Sequence, residues 1–101
     1  MIYYKVNISL NKNIENKWLD WMNKIHVPEV LNTGYFLGHK ILKNIQPEND
    51  QDKVEYTIMY ECESINKYLE YSVKAAPELQ KKHTELFKGT FTANREILEA
   101  I

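Results

Sequence analysis

Few side chains in this sequence can carry chemistry. Three histidines (His26, His39 and His83), one cysteine (Cys62) and one arginine (Arg95) are spread through 101 residues. No two histidines stand at the i, i+2 or i, i+4 spacing that puts them on one metal ion by local geometry. Cys62 has no second cysteine, so neither an internal disulfide nor a zinc site is expected, and the expected metal and cofactor set is empty. His26 lies about 90° round a helix from the stripe formed by Trp18, Trp21 and Ile25, and such boundary positions look into clefts. It is the best candidate for a catalytic acid, base or ligand donor. The competing role is a helix cap, in which a protonated imidazole bonds the last carbonyls and adds roughly 0.3–1 kcal/mol. His83 stands four residues after Leu79 and three before Leu86, so it is expected to point towards a sheet as a buried, hydrogen-bonded histidine. Trp18, Trp21, His26 and Tyr56 are the candidate lining of a small-molecule pocket, with His83 a weaker member. Aromatics at helical and strand spacing also describe a plain core. Seven tyrosines bring seven hydroxyls that each need a partner or water, which favours a wet cleft. No Ser/His/Asp order, Gly-rich phosphate loop or close carboxylate pair is present, so enzyme and binding module both stay open.

The elements that must position these groups follow from periodicity. Ile2, Tyr4, Val6, Ile8 and Leu10 alternate with polar residues, the period-2 pattern of a half-buried strand. Ile14, Trp18, Trp21, Met22 and Ile25 then fall on one helical stripe, with Asn13 as its expected N-cap. Pro28 is expected to interrupt that helix near Val27, and Gly34 to end the turn that follows. Tyr35 to Lys43 reads as a second strand whose buried face stays undecided. A loop at 44–53 leads to a third strand in which Val54, Tyr56, Ile58, Tyr60 and Cys62 alternate with polar neighbours. Ser64 caps a second helix with apolar positions Ile65, Tyr68, Leu69 and Val73, and Pro77 restarts it with Leu79, His83, Leu86 and Phe87. Residues 91–100 close as a strand, with a bulge expected near Ile97 and Leu98.

The order βαββαβ makes one α+β domain over residues 1–101. It is a ferredoxin-like sandwich, a four-stranded antiparallel sheet with both helices on one face. The other face, carrying Lys5, Asn7, Ser9, Thr57 and Met59, is half polar, and pairing with a second copy is its expected cover. With 44% hydrophobic, 12% aromatic and 27% charged residues, one core fills the chain. Thirteen basic against fourteen acidic residues give a net charge of −1, and a single arginine is a poor basis for phosphate or base recognition. The layout is also that of the RNA-recognition motif, yet Val54 to Glu61 has neither the glycine nor the basic residue that motif needs and carries two glutamates. No basic leader or long apolar run is present, so a cytoplasmic protein with no membrane or nucleic-acid partner is expected.

Trp18-x-x-Trp21-Met22, then His26-Val27-Pro28-Glu29-Val30-Leu31-x-Thr33-Gly34, with Ala76-Pro77-Glu78-Leu79 and Phe91 later, resembles the domain-of-unknown-function family 4286, small single-domain bacterial proteins. The resemblance spans nearly the whole chain and brings no established activity. That family is similar in layout to dimeric α+β barrel proteins, which include antibiotic-biosynthesis-type monooxygenases, haem-degrading enzymes and stress-responsive barrels. The resemblance therefore implies a homodimer. At the level of fold analogy it also raises a cofactor-independent monooxygenase-like or haem-binding enzyme. Haem-degrading members use an Asn on the first strand and a Trp and a His on or near the second helix, for which this chain offers Asn7 and His83. A dimeric interaction or regulatory module without catalysis is the alternative to a small-molecule site.

Overall fold

Alternation builds the sheet. In the computed structural model, which describes residues 1–101, β1 (Ile2–Asn11) buries Ile2, Tyr4, Val6, Ile8 and Leu10 and leaves their neighbours half exposed. β3 (Lys53–Cys62) buries Val54, Tyr56, Ile58, Tyr60 and Cys62 in the same way. The two pair antiparallel, with Ile2 opposite Cys62 and Leu10 opposite Val54. β4 (Phe91–Glu99) lies antiparallel on the far side of β1, and β2 (Gly38–Lys43) on the far side of β3. The strand order β2-β3-β1-β4 places the two most apolar strands in the centre and puts the more exposed strands at the edges. This is the ferredoxin-like α+β sandwich that the element order demands.

The first helix is built in three pieces: α1 (Glu15–Trp21), a five-residue π-helical segment (Met22–His26) and α2 (Val27–Asn32). The expected break at Pro28 is therefore corrected. Val27 stays helical at φ −60° and ψ −46°, and its N–H reaches back five residues to the Met22 carbonyl. Pro28 has no N–H, and its ring would strike the carbonyl four residues earlier in a regular helix; a wide turn absorbs both faults without ending the helix. The extra residue puts later positions about 100° out of phase with the earlier ones. Ile25, assigned to the buried stripe by period, is consequently 44% exposed, while Trp18, Met22, Val27 and Val30 are buried. Gly34, at φ +84°, ends α2 in the left-handed region that favours glycine. Asn13 sits inside a short 3-10 turn, Lys12–Ile14, and caps nothing, because that turn shifts the start of α1 on to Ile14, which makes no side-chain cap bond.

Other details of the periodic reading shift for packing reasons. β2 pairs only from Gly38; Phe36 precedes it as a buried ring between Tyr60 and Tyr71. Ile41 shares its face with Ile58, which settles the orientation of the strand. β4 has no bulge: its register with β1 runs unbroken, so Ile97 and Leu98 lie on opposite faces of an edge strand and both stay exposed. α3 (Ile65–Lys74) starts at Ser64, whose hydroxyl oxygen accepts the Lys67 N–H at 3.2 Å. Its buried residue is Tyr71, with Tyr68 half buried, and both rings pack against Tyr4. Turning these larger rings inward leaves Ile65, Leu69 and Val73 in solvent, against the expected stripe. α4 (Ala76–Phe87) has Pro77 in its first turn and buries Leu79, His83 and Phe87, whereas Leu86 remains exposed.

These placements separate two apolar substitutions. Ile58→Ala, in the centre of the sheet, should cost about 2–5 kcal/mol, read as a lower urea midpoint. Val73→Ser, at a side chain 77% exposed, should move stability by no more than about 0.5 kcal/mol.

Candidate functional site

A cleft opens between the helices and the central strands. Its enclosed part has about 30 Å³ for occupants the size of water, on the order of two molecules, within about 450 Å³ counted to the open mouth. β1, β3 and β4 supply Val6, Ile8, Ile58, Phe91 and Ala93 as an apolar floor, and the wide turn and α4 supply His26 and His83. The polar atoms facing this space come from those histidines, Arg95, Gln80 and the tyrosines Tyr4, Tyr60 and Tyr71.

His83 is fixed by one hydrogen bond. The Trp18 indole N–H donates to its Nε2 at 2.9 Å, between two buried side chains 65 residues apart in sequence. An indole nitrogen can only donate, so Nε2 must accept and the proton of the neutral ring sits on Nδ1. Nδ1 has no protein partner, and no fully buried side-chain nitrogen or oxygen is left without one. The Nδ1–H is therefore open to the cleft. Burial lowers His83 to a pKa of about 4, with His26 and Arg95 adding like-charge repulsion. Protonation would also set an N–H against the indole N–H.

His26 reaches the cleft because of the wide turn. Residues five apart on a regular helix point about 140° away from each other, yet Trp21 stacks on His26 with centroids 5.1 Å apart and planes at 25°. The π-helical turn brings them to one face. His26 has no hydrogen bond to protein, and its ring centroid lies 5.8 Å from that of His83. Burial lowers it to about 4, a drop that Glu29 partly opposes. Since the helix continues to Asn32, His26 does not cap it. Thr33 does that work instead, its hydroxyl donating to the Val30 carbonyl at 2.6 Å.

Of the residues expected to line a pocket, His26 and His83 face this cleft directly. Trp21 covers its helix side through contacts with His26, His83 and Phe87. Trp18 lies behind His83, wholly buried, and stacks at a tilt on Tyr56. The Tyr56 hydroxyl donates to Glu15, which Lys43 also holds at 2.7 Å, so it is spent within the protein. The Lys43 ammonium and the Tyr56 hydroxyl together lower the Glu15 pKa. Tyr4, Tyr71 and Arg95 were not among the candidates. The signal that marks Arg95 is its parity: it alternates with Phe91 and Ala93 and pairs opposite Val6. His39 is exposed on β2.

The groups raised by analogy with haem proteins do not share a site. Asn7 lies on the open face of the sheet, bonded to Asn94, Glu96 and Thr57, while His83 lies on the helix side with Nε2 already engaged. These residues do not fit a haem. No cluster of three or more His, Cys, Asp or Glu is placed to hold a metal ion.

The family model described as a domain of unknown function, DUF4286, matches residues 1–101, the whole chain. The chain belongs to this family. No curated protein matches this DUF4286 chain in sequence. Among solved structures it is similar to a dimeric ferredoxin-like protein from an uncultured marine organism, at 12% identity and a TM-score of 0.72, covering 100% of this chain and 95% of that one. It is also similar to SnoaB, a cofactor-independent oxygenase from Streptomyces nogalater, at 10% identity and 0.70, covering 99% and 93%. A third likeness is to an ethyl tert-butyl ether degradation (EthD) family protein from Bacillus halodurans, at 11% and 0.68 over all of both chains. At these identities the likeness is one of fold.

The two neutral histidines give the DUF4286 domain a signed pH dependence. Each has a folded pKa of about 4 against 6.5 when free, so the unfolded chain binds more protons between those values. Stability should be fully present above pH 6.5 and fall by on the order of a few kcal/mol as pH drops towards 4. Urea melts at pH 7, 5.5 and 4.5 check this, and His83→Gln should flatten the slope.

Proposed function

We propose that this protein is a small-molecule binding module whose site is the cleft between the helices and the sheet. The observation that carries the reading is the Trp18 to His83 hydrogen bond. It holds one imidazole as an uncharged donor beside a partly apolar space, which supplies a fixed polar group in a largely apolar cleft. Binding is preferred to catalysis on acid–base grounds. A general base works best with a pKa near the working pH, and His26, at about 4, is a weak one near neutrality. The cofactor-independent oxygenase among the structural neighbours keeps catalysis as the alternative, with His26 as the base. No helix is long and apolar enough to cross a membrane. A cytoplasmic location is part of this reading, supported by the free, buried Cys62. Nucleic acid is not expected to bind, because the open sheet face presents Glu55, Glu61 and Glu96 and the single arginine lies on the other side.

The reading includes a homodimer formed by the open sheet faces. A structural neighbour described as dimeric supports it, as does the Asn7 side chain at the centre of that face, bonded to Asn94 at 2.9 Å and Glu96 at 2.8 Å. The amide hydrogen bonds of Asn7 would remain satisfied under such a cover, and the Lys5–Glu96 pair at 3.5 Å offsets part of the cost of desolvating Glu96. A second reading, a protein-interaction module, is favoured by the exposed row Ile65, Leu69 and Val73 on α3.

Heteronuclear NMR with neutral fragments (indole, benzamide and quinoline) tests the cleft. Resonances of His26, His83 and Phe91 should move together at millimolar fragment, and His83→Gln should weaken binding about tenfold, in line with a lost hydrogen bond. Shifts confined to Leu69 and Val73 would favour the interaction module, and no shifts at all, with these fragments or with benzoate, would remove the small-molecule reading. Sedimentation at tens of micromolar should show a dimer; a monomer would overturn that part.

A further inference from the structure

We infer that the ligand of this cleft carries a carboxylate on a compact apolar body, and that Arg95 receives it. The inference rests on the reading of the cleft as a ligand site.

Arg95 is the only arginine in the chain, and no carboxylate lies within 4.0 Å of it: the ion pairs of this protein are all made by lysines. Arg95 is an exposed residue of β4, and its Nε donates to the Tyr4 hydroxyl at 3.1 Å, which orients the guanidinium at the mouth of the cleft with no protein partner on either Nη. A planar fork held in this way matches the two oxygens of a carboxylate. The rest of the lining points to the same charge. It contains no Asp or Glu, and His83, Tyr60 and Tyr71, all side chains able to donate a hydrogen bond, are among its residues. Glu29, the acid nearest His26, is already paired with Lys82 at 2.9 Å. The imidazoles, uncharged near neutral pH, can hydrogen-bond an anion but do not neutralise one. One fixed positive charge therefore fits a monoanion better than a phosphate dianion. The floor of Val6, Ile8, Phe91 and Ala93 suits an apolar body, and because the enclosed part holds only about two waters, that body lies in the wider cleft of about 450 Å³ counted to its mouth.

Titration of the full chain at pH 7 with benzoate and its neutral isostere benzamide, followed by heteronuclear NMR, tests the assignment. Benzoate should move the Arg95 side-chain and His83 signals and bind at least tenfold more tightly than benzamide. Arg95→Gln should remove that preference, and Arg95→Lys, which keeps the charge without the fork, should retain part of it. Benzamide binding as tightly as benzoate would overturn the carboxylate inference while leaving the cleft as a site. Benzoate affinity unchanged in Arg95→Gln would overturn the role of Arg95, whether or not the dimer is altered. Neither probe binding at millimolar concentration would overturn both the inference and the reading beneath it.

Discussion

One buried hydrogen bond, from the Trp18 indole to His83, organises much of this molecule. It joins the first helix to the last on one face of the sheet, and because its donor has no second option, it dictates the tautomer of its acceptor. Without it, a buried indole N–H and a buried imidazole nitrogen would each be unsatisfied, at about 1–3 kcal/mol apiece. Phe91 meets the His83 ring edge-on at 4.5 Å, and Trp21 and Phe87 close around it. The histidine is thus held in one orientation with one face of its chemistry turned outward. The packing that stabilises the domain is the same packing that prepares the cleft.

Much of this was legible beforehand, and the parts that were not share a cause. β1 and β3 announce themselves because each is buried on one face only, and a period of two leaves no ambiguity there. The edge strands β2 and β4 are covered so little that their apolar residues keep no strict parity, as Leu42 and Ile97 show. The helix was legible up to Trp21 and misread after it. Pro28 reads as an interruption followed by a fresh turn, but the burial of Val27 and Val30 outweighs the local preference of the residue before a proline, and Val27 stays helical. Once the turn widens, period alone misplaces Ile25. The candidate site was found in part, since His26 and His83 are rare residue types. Arg95 passed unseen because it was weighed as composition, not as a position opposite Val6.

The structural neighbours set the scale of what the fold can say. A cofactor-independent oxygenase and a protein of the EthD family share this sandwich with the present chain at no more than 11% identity. The scaffold is common, and the polar groups set into it are what differ. Here those groups are two imidazoles, a guanidinium, an amide and tyrosine hydroxyls, set on a surface otherwise made of aliphatic and aromatic carbon.

The placement of β1 also bears on how the chain comes to be folded. β1 precedes both of its ladder partners, which lie at residues 53–62 and 91–99. A growing polypeptide on the ribosome can therefore form no lasting β1 ladder until residues 53–62 have emerged, and cannot complete it until β4 follows. Contacts of such long sequence separation slow folding by the loop entropy they must overcome. Ile2, Val6, Ile8 and Leu10 are thus exposed on one side of a nascent segment until those partners arrive. Lys5, Asn7 and Ser9 alternate with them, and a polar residue at every second position keeps that waiting strand from presenting an unbroken apolar ribbon to other nascent chains.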